Sequence, residues 1–290
     1  TKRAMALEAA EQICNMMVLT PYPGFEGEGF SFPCRNVLPK PLQQPHPPLW
    51  MACTNRDTIK IAARSGIGAL AFSFLNPEEA RTWSKIYYDI IKSEDCVPLG
   101  WSVNANLAMV SAFSMHEDRS EAIRRGQDNF EFFRYSQQKL VADDFVPGYS
   151  NMWEEFMAKR GDASDRLIKA ALARGEFDGV GIGTPADMRS HLSSLQDAGV
   201  DQVVFLQQAG KNSHQNICES LELFANTIMS QFSADADERE SDKNSELAPY
   251  IEAAMARKQH MQPLAEQDVP VVKAAVKAAA PSHGTATTRI

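Results

Sequence analysis

The chain has 290 residues, of which 44% are hydrophobic, and it carries a formal net charge of −8 at pH 7. This composition predicts a globular protein large enough to bury a core. The negative charge and the lack of a basic stripe argue against nucleic acid or an anionic membrane as a partner. The longest apolar runs, residues 49–53 and 67–75, are too short to span a bilayer, and no signal-peptide pattern opens the sequence. We therefore expect a cytoplasmic protein.

The cysteines and histidines give no sign of a metal centre or of a nucleophilic active site. The five cysteines are odd in number and show no CxxC or metal-like spacing, which predicts reduced thiols, most of them in the core. The histidines are equally scattered, and no Gly-x-Ser-x-Gly motif or paired-carboxylate pattern indicates hydrolysis. His46 stands between prolines, and we interpret it as a partly exposed loop residue rather than as a base or ligand. These patterns assign no catalytic acid, base or nucleophile.

The first elements in chain order are a helix, a turn-rich loop and a proline-rich arm. Apolar residues at helical spacing over residues 4–18 predict the helix. In the loop that follows, the Phe-Ser-Phe of residues 30–32 predicts a short hairpin strand. The prolines of residues 37–48 fix φ, remove backbone donors and push the preceding residues towards extended geometry. We therefore expect this arm to be extended and to lie on the surface.

A strand, a helix cap and a helix follow the arm. Residues 49–53, Leu-Trp-Met-Ala-Cys, form an uninterrupted apolar run that is typical of a parallel strand covered on both faces. Thr54 and Asn55 are candidate caps for a helix predicted at residues 57–65. A helix N-terminus at the carboxyl end of a parallel strand suits a phosphate, because free N–H groups and the helix dipole face the anion. An ordinary capped turn fits the same pattern, and the local sequence alone favours it.

Strands and helices then alternate. The pattern predicts, in chain order, a strand at residues 68–74, a helix at 77–92, a strand at 99–106 and a helix at 117–141. This alternation predicts parallel strands joined by right-handed crossovers. It fits either part of a barrel or an open doubly wound sheet, and periodicity does not decide between them.

Two features interrupt the alternation. Residues 142–162 form an irregular aromatic and acidic insert, which either shapes a substrate pocket or is a structural helix, and a short helix is predicted at 165–174. Gly179, Gly181 and Gly183 superficially resemble a dinucleotide-binding fingerprint. The third glycine falls too early, however, and no βαβ unit with a ribose-binding acid is evident, so we discount a nicotinamide site.

The remainder of the chain contains the last helices and a polar tail. The predicted elements are a helix at residues 184–198, a strand at 200–206, a helix at 217–232 with Leu221, Phe224, Ala225 and Ile228 facing inwards, a charged linker from 233, a helix at 246–260 and a disordered tail. Thr184 is the expected N-cap of the first of these helices, with Pro185 at its first position. We therefore divide the chain into residues 1–232 and 233–290.

Two blocks of sequence together resemble the luciferase-like flavin-dependent monooxygenase family. The first is the proline arm with Pro-Pro-Leu-Trp-Met-Ala-Cys-Thr at residues 47–54. The second is Gly-Thr-Pro-Ala-Asp-Met-Arg-Ser-His-Leu at 183–192, followed by Asp-Ala-Gly-Val-Asp-Gln-Val-Val-Phe at 197–205. Both blocks occur in the order that the family has, and the resemblance covers residues 1–232.

The resemblance implies a parallel α/β fold of the (β/α)8 TIM-barrel type. Because the family places about half a barrel before the helix of residues 4–18, the chain is similar to its carboxyl-terminal half. The implied reaction uses reduced FMN from a separate flavin reductase, with dioxygen, to oxygenate a small organic substrate. A deazaflavin-dependent oxidoreductase is the nearest variant, and a non-catalytic truncated barrel that acts as a partner subunit is the alternative. An open half barrel also predicts a homo-oligomer, because its edge strands lack partners.

The resemblance further implies which residues line the flavin. These residues lie at the end of strand 49–53 and in the first turn of the next helix: Met51, Ala52, Cys53, Thr54 and Thr58. The hydroxyls of Thr54 and Thr58 would both face the flavin phosphate. No catalytic residue and no metal ligand is implied.

Overall fold

The computed structural model describes residues 2–72, 76–142, 146, 148–160 and 180–271. The helices are α1 Lys2–Val18, α2 Arg56–Arg64, α3 Pro77–Ile91, α4 Arg119–Ala142, α5 Met152–Arg160, α6 Pro185–Asp197, α7 His214–Phe224, α8 Ser230–Ser233 and α9 Ala236–Arg257. The strands are β1 Phe25–Glu26, β2 Ser31–Phe32, β3 Trp50–Cys53, β4 Gly68–Ala71, β5 Leu107–Ala112, β6 Ser114–Met115, β7 Ile182–Gly183 and β8 Gln202–Leu206. The chain divides into two compact units, one from residues 1–42 with 260–290 and the other from residues 43–259.

The first unit contains α1, the β1–β2 hairpin and the start of the proline arm. The predicted helix and hairpin strand are both confirmed, with β1 and β2 paired antiparallel. The arm has no regular secondary structure, as its prolines predict. Lys40 fixes the arm to the carboxyl end of α1, because its Nζ donates to the carbonyls of Met16 and Leu19 at 2.7 Å each. These bonds satisfy carbonyls that the end of a helix leaves without partners.

The second unit is built on a four-stranded parallel sheet in the order β3-β4-β5-β8. The register pairs Ala52 with Leu70 and Val110 with Val204. Parallel strands that run in chain order with helices between them form part of a (β/α) barrel, so the predicted fold class is confirmed. A short parallel pair, β6 and β7, lies directly after β5 in the chain.

The strand predicted at residues 99–106 is wrong, because the third strand of the sheet is β5. Asn104 lies in the loop before β5, where its N–H donates to Gly66 O and its Nδ2 to Leu49 O, both at 2.9 Å. The Tyr87 hydroxyl donates to the carbonyl of Asn104 at 3.0 Å. These bonds pair the polar groups of the loop with partners near the amino ends of the strands. The buried run Leu-Ala-Met-Val-Ser-Ala then forms the strand itself.

His46 is buried rather than partly exposed, with only 4% of its surface accessible. Its Nε2 accepts the backbone N–H of Trp101 at 2.9 Å, and its Nδ1 lies 2.8 Å from the carbonyl of Pro47. Nδ1 therefore carries the ring proton and donates it to that carbonyl. The interpretation as an exposed loop residue is corrected, because these two bonds hold the end of the arm against the loop before β5.

The two faces of the sheet differ in what covers them. Met51, Cys53 and Val203 pack in the main hydrophobic cluster with α2, α3 and α6. Because side chains alternate along a strand, the residues between them point the other way. Val204 and Trp50 on that second side are 45% and 37% exposed. We call this second side, marked by Trp50, Ala52, Leu70 and Val204, the open face; the side chains of β5 that point to it are buried, so it is exposed mainly at the edge strands.

The helices α2, α3, α4 and α6 follow the predictions closely. Asn76 caps α3, Thr184 caps α6, and a proline occupies the first turn of each. The insert contains α5, whereas the helix predicted at residues 165–174 lies outside the described residues.

The closing helix is confirmed but is not regular. A π-helical turn, Ala225–Met229, separates α7 from α8. Ile228 is fully buried and Phe224 packs against it, as predicted. Leu221 and Ala225 are exposed, contrary to the prediction, because the inward side of α7 carries Ser220 and Phe224 instead.

The charged stretch that begins at residue 233 is not a linker. After the short α8, it forms α9, a 22-residue helix that starts ten residues before the predicted one. Leu247 and Ala254 of α9 are 2% and 0% exposed and belong to the main hydrophobic cluster. The helix therefore buries an apolar stripe within an otherwise charged sequence. Most of the predicted disordered tail, residues 272–290, lies outside the described residues, and the division at residues 232 and 233 stays a prediction.

Candidate functional site

The carboxyl end of β3 leads into α2 through a well-formed helix cap. Asn55 is the N-cap, since its backbone is extended and its Oδ1 accepts the N–H groups of Asp57 and Thr58 at 3.1 Å each. Thr54, the other cap candidate, precedes it and is exposed. The cap therefore already uses two of the free N–H groups of the helix.

Thr58 closes the cap from the other side. Its hydroxyl donates to Asn55 O at 2.8 Å and accepts the Asn55 N–H at 3.3 Å, which completes a capping box. A hydroxyl held in this way binds the backbone of its own helix. Of the two threonines expected at a phosphate, the structure thus leaves Thr54 outside the capping box and places Thr58 within it.

A bidentate ion pair lies beside the same helix end. Arg56 donates from Nε to Glu79 Oε1 at 2.9 Å and from Nη2 to Glu79 Oε2 at 2.6 Å. Hydrogen bonds from Arg56, and then from Trp83, hold the pKa of the Glu79 carboxyl below its usual value. Asp57 in the first turn complements the helix dipole. Lys60 Nζ lies 3.6 Å from Asp57 Oδ1, so the two cations and two carboxylates at this end of α2 carry no net charge.

The predicted cofactor residues divide between the two faces of the sheet. Ala52 and Thr54 are exposed, and Ala52 belongs to the open face. Met51 and Cys53 point to the helices, where Cys53 is fully buried. Burial raises the pKa of the Cys53 thiol to about 11. Cys53 is therefore a core residue, because its thiol is packed among helices and is predominantly protonated.

Sequence reasoning missed a buried polar pair between β5 and α6. Ser111 Oγ and His191 Nε2 are 2.9 Å apart, and the two residues are 4% and 5% exposed. The Ser111 hydroxyl also contacts the carbonyl of Ala112 at 2.9 Å. Gly181 approaches this position so closely that a Cβ there would meet Ala112 O at 2.1 Å. No sequence signal joins residues 80 positions apart, because only the tertiary fold brings them together.

The sequence matches the model of a known protein family. The family model for luciferase-like monooxygenases matches residues 3–202, more than half of the chain. The chain belongs to the luciferase-like monooxygenase family. No match was found among curated protein sequences.

Two solved structures have a fold similar to that of this chain. The chain is similar to the monooxygenase RslO1 from Streptomyces bottropensis, with a TM-score of 0.52, 17% identity and coverage of 76% of this chain and 58% of that one. It is also similar to the coenzyme F420-dependent tetrahydromethanopterin reductase from Methanopyrus kandleri, with a TM-score of 0.51, 18% identity and coverage of 78% and 62%. At these identities the likeness shows the fold alone. The chain thus spans about three fifths of the length of each.

Two further properties bear on this luciferase-like chain. Among the described residues, no helix combines the length and the apolar character that crossing a membrane requires. Within the same ranges, no group of three or more His, Cys, Asp or Glu residues is arranged to hold a metal ion.

Proposed function

We propose that this chain is the flavin-binding carboxyl-terminal half of a flavin-dependent monooxygenase that uses reduced FMN and dioxygen to oxygenate a small organic substrate. One observation carries the proposal. The end of β3 places Thr54 next to the capped N-terminus of α2, at the carboxyl edge of a parallel sheet whose open face exposes apolar side chains. Barrel enzymes of this type place their active sites at that edge.

The residues present fit a flavin in two respects. Ala52 and its register partner Leu70 give the open face an apolar surface, which suits the flavin ring system. The Thr54 hydroxyl and the N-terminus of α2 suit a phosphate, because hydroxyl and N–H donors and the helix dipole favour an anion. Met51 and Cys53 point to the helices, so in this arrangement they contribute their backbones only.

When bound, reduced flavin supplies the reaction with dioxygen. The chain's own residues bind and orient it: Thr54 holds the phosphate, and Ala52 supports the ring. Thr58 acts indirectly, because its capping box fixes the geometry of Asn55 and of the first turn. The apolar side chains of the open face exclude water from the ring. No residue of the chain is assigned as an acid or a base.

The proposed source of reduced FMN is a separate flavin reductase. We propose it because the sequence shows no nicotinamide-binding fingerprint. The likeness to a coenzyme F420-dependent reductase favours a deazaflavin as the second candidate cofactor. A barrel remnant without catalysis, acting as a partner subunit, is the remaining alternative.

The test is a titration of FMN, riboflavin and deazaflavin into this chain, followed by fluorescence. Thr54→Val removes the hydroxyl but keeps the shape of the side chain. A hydrogen bond to a charged group contributes roughly 1.5–3 kcal/mol, so we expect FMN affinity to fall about ten- to a hundredfold. Riboflavin lacks the phosphate, and its affinity should stay the same.

The matched control is Thr82→Val, which removes a hydroxyl that bonds Glu78 O within α3. We expect this variant to bind FMN like wild type. If wild-type chain shows no preference for FMN over riboflavin, or if Thr54→Val keeps that preference, the phosphate site is elsewhere. A chain that binds none of the three compounds supports the remnant.

A further inference from the structure

A cavity of about 830 Å³ lies on the helix-facing side of β8, under α9. Its walls come from α3, the carboxyl end of α6, β8 and the helical segments after β8. This volume is within the range of roughly 300–1,000 Å³ that small-molecule sites have. The cavity lies entirely within the compact unit of residues 43–259.

The cavity and the proposed flavin site are on opposite sides of the sheet. Val203 and Phe205 line the cavity, whereas Val204 between them belongs to the open face. Because side chains alternate along a strand, a molecule in the cavity contacts neither Ala52 nor any other open-face side chain. A ligand in the cavity would therefore be a different molecule from the flavin.

One end of the cavity is aromatic. Phe205, Phe224 and Phe232 line it, and the rings of Phe205 and Phe224 contact each other edge to face with their centroids 5.3 Å apart. The π-helical turn Ala225–Met229 lies between Phe224 and Phe232 in the chain, and Arg189 of α6 donates to the Thr227 carbonyl within it at 3.2 Å. A π-turn interrupts a helix at a cost and often occurs at functional sites. Here it separates two of the phenylalanines that form the apolar end.

The charges around the cavity sum to −1, because four carboxylates and three cations line it, and this limits the charge of an occupant. Lys243 pairs with Asp201 at 3.1 Å and with Glu240 at 2.8 Å, and Lys92 pairs with Glu246. Of the lining charges, Asp237 and Arg239 have no ion-pair partner among the described residues, and their charges are opposite. The Arg239 guanidinium donates to Phe232 O at 2.7 Å. An anionic ligand would add to this excess of negative charge, whereas a neutral one would not.

We propose that this cavity is a second ligand site, which binds a neutral molecule with an aromatic or alicyclic body. The phenylalanines contact the ring system, since aromatic and apolar walls provide most of the binding energy in such sites. The exposed rim of α9, including Arg239, lies over its polar end. A bound molecule joins α3, α6 and α9 and thereby stabilises the folded chain.

The experiment measures binding of the neutral fluorescent probe N-phenyl-1-naphthylamine to the full chain. Ala236 lines the cavity at the start of α9, so Ala236→Trp places an indole ring in the space that the probe requires. We expect saturable binding by wild type and at least about tenfold weaker binding by Ala236→Trp. The anionic analogue 8-anilinonaphthalene-1-sulfonate should bind wild type more weakly than the neutral probe.

The matched control is Ala248→Trp, the same substitution at an exposed position of α9 that does not line the cavity. This variant should bind the probe like wild type, and both variants should keep the wild-type circular dichroism spectrum. Equal weakening by both variants, or no saturable binding by wild type, would overturn the proposal. Tighter binding of the anionic analogue would overturn the assignment of a neutral ligand.

Discussion

The Tyr88 hydroxyl donates to Asp201 Oδ2 at 2.5 Å, and the same oxygen accepts the backbone N–H of Leu107 at 2.6 Å. Lys243 of α9 approaches Asp201 Oδ1 at 3.1 Å, and the two charged side chains are only 17% and 15% exposed. Burial, and then the negative charge of Asp201, raise the pKa of Tyr88, so its hydroxyl stays a donor. One carboxylate thus connects α3, β5 and α9 at the amino end of β8.

Asp201→Asn should lower the free energy of unfolding by roughly 1–3 kcal/mol, because it removes a charged acceptor from partly buried donors. Urea unfolding followed by circular dichroism measures this loss. The control is Asp197→Asn, at the exposed carboxyl end of α6. Equal stabilities for the two variants would show that the carboxylate does not hold these elements together.

Ser220 of α7 acts in place of a neighbouring strand. Its hydroxyl donates to Met115 O at 2.9 Å and accepts the Met115 N–H at 3.1 Å, and the residue is buried. Ser220→Ala leaves both backbone groups without this partner, which should lower the free energy of unfolding by about 1–3 kcal/mol. In the control Ser194→Ala, the lost hydroxyl bonds His191 O of its own helix. A comparable loss in thermal unfolding of both variants would contradict this role.

The sequence predicted those features that depend on residues close together in the chain. The caps at Asn55 and Thr184 and the start of α3 at Pro77 follow from residues a few positions apart. The hydrophobic run of residues 49–53 likewise predicted β3, although only one face of this strand is covered, and not both as expected. The resemblance to a family supplied the barrel. Periodicity did not distinguish a barrel from an open sheet, because that choice depends on contacts between strands that are far apart in the sequence.

The features that the sequence did not reveal all depend on tertiary partners. Residues 99–106 have strand-like composition, yet the Tyr87 hydroxyl and the carbonyl of Leu49 hold that segment in a loop. Helix α9 begins with a run of charged residues, which gave no sign that Leu247 and Ala254 further along it are buried. Ser111 and His191 meet only after folding. For the candidate site, the order of residues was predictable, but the face to which Cys53 points was not.

Glu121 should titrate at unusually low pH. Hydrogen bonds from Arg124, and then from Arg125, lower the pKa of its carboxyl to about 2. Because the folded-state pKa lies below the unfolded one, this contribution to stability is present above about pH 4.3 and is lost as pH falls towards 2. Carboxyl carbon shifts in a pH titration measure the midpoint. Arg124→Gln should raise it, and Arg81→Gln on α3 should not; an unchanged midpoint in Arg124→Gln would contradict the assigned cause.

Cys53 should be unreactive in the folded chain, although it is next to the proposed flavin site. Its side chain is fully buried, and its thiol pKa of about 11 leaves little thiolate at pH 8. Treatment with a thiol reagent at pH 8, followed by peptide mass spectrometry, should label the partly exposed Cys218 and spare Cys53 until denaturant is added. Labelling of both at the same rate would place Cys53 on the open face instead.

Both edges of the four-stranded sheet favour association. Within the described ranges, β3 pairs only with β4, and β8 pairs only with β5. Each edge strand therefore presents free backbone groups along one side, beside the apolar open face. We expect the chain to self-associate, so its average sedimentation coefficient in sedimentation velocity should rise with protein concentration. A monomer that unfolds in one sharp cooperative transition would contradict this expectation.

A charge on the open face should weaken that association, because burying lysine in an apolar contact is unfavourable. Val204→Lys places the charge on edge strand β8, where the side chain is 45% exposed, so the fold can accommodate it. Val97→Lys is the matched control, since Val97 is 44% exposed but precedes the loop that leads to β5. We expect Val204→Lys to raise the dissociation constant at least about tenfold and Val97→Lys to leave it near the wild-type value. Equal effects would mean that general charge, rather than the open face, controls association.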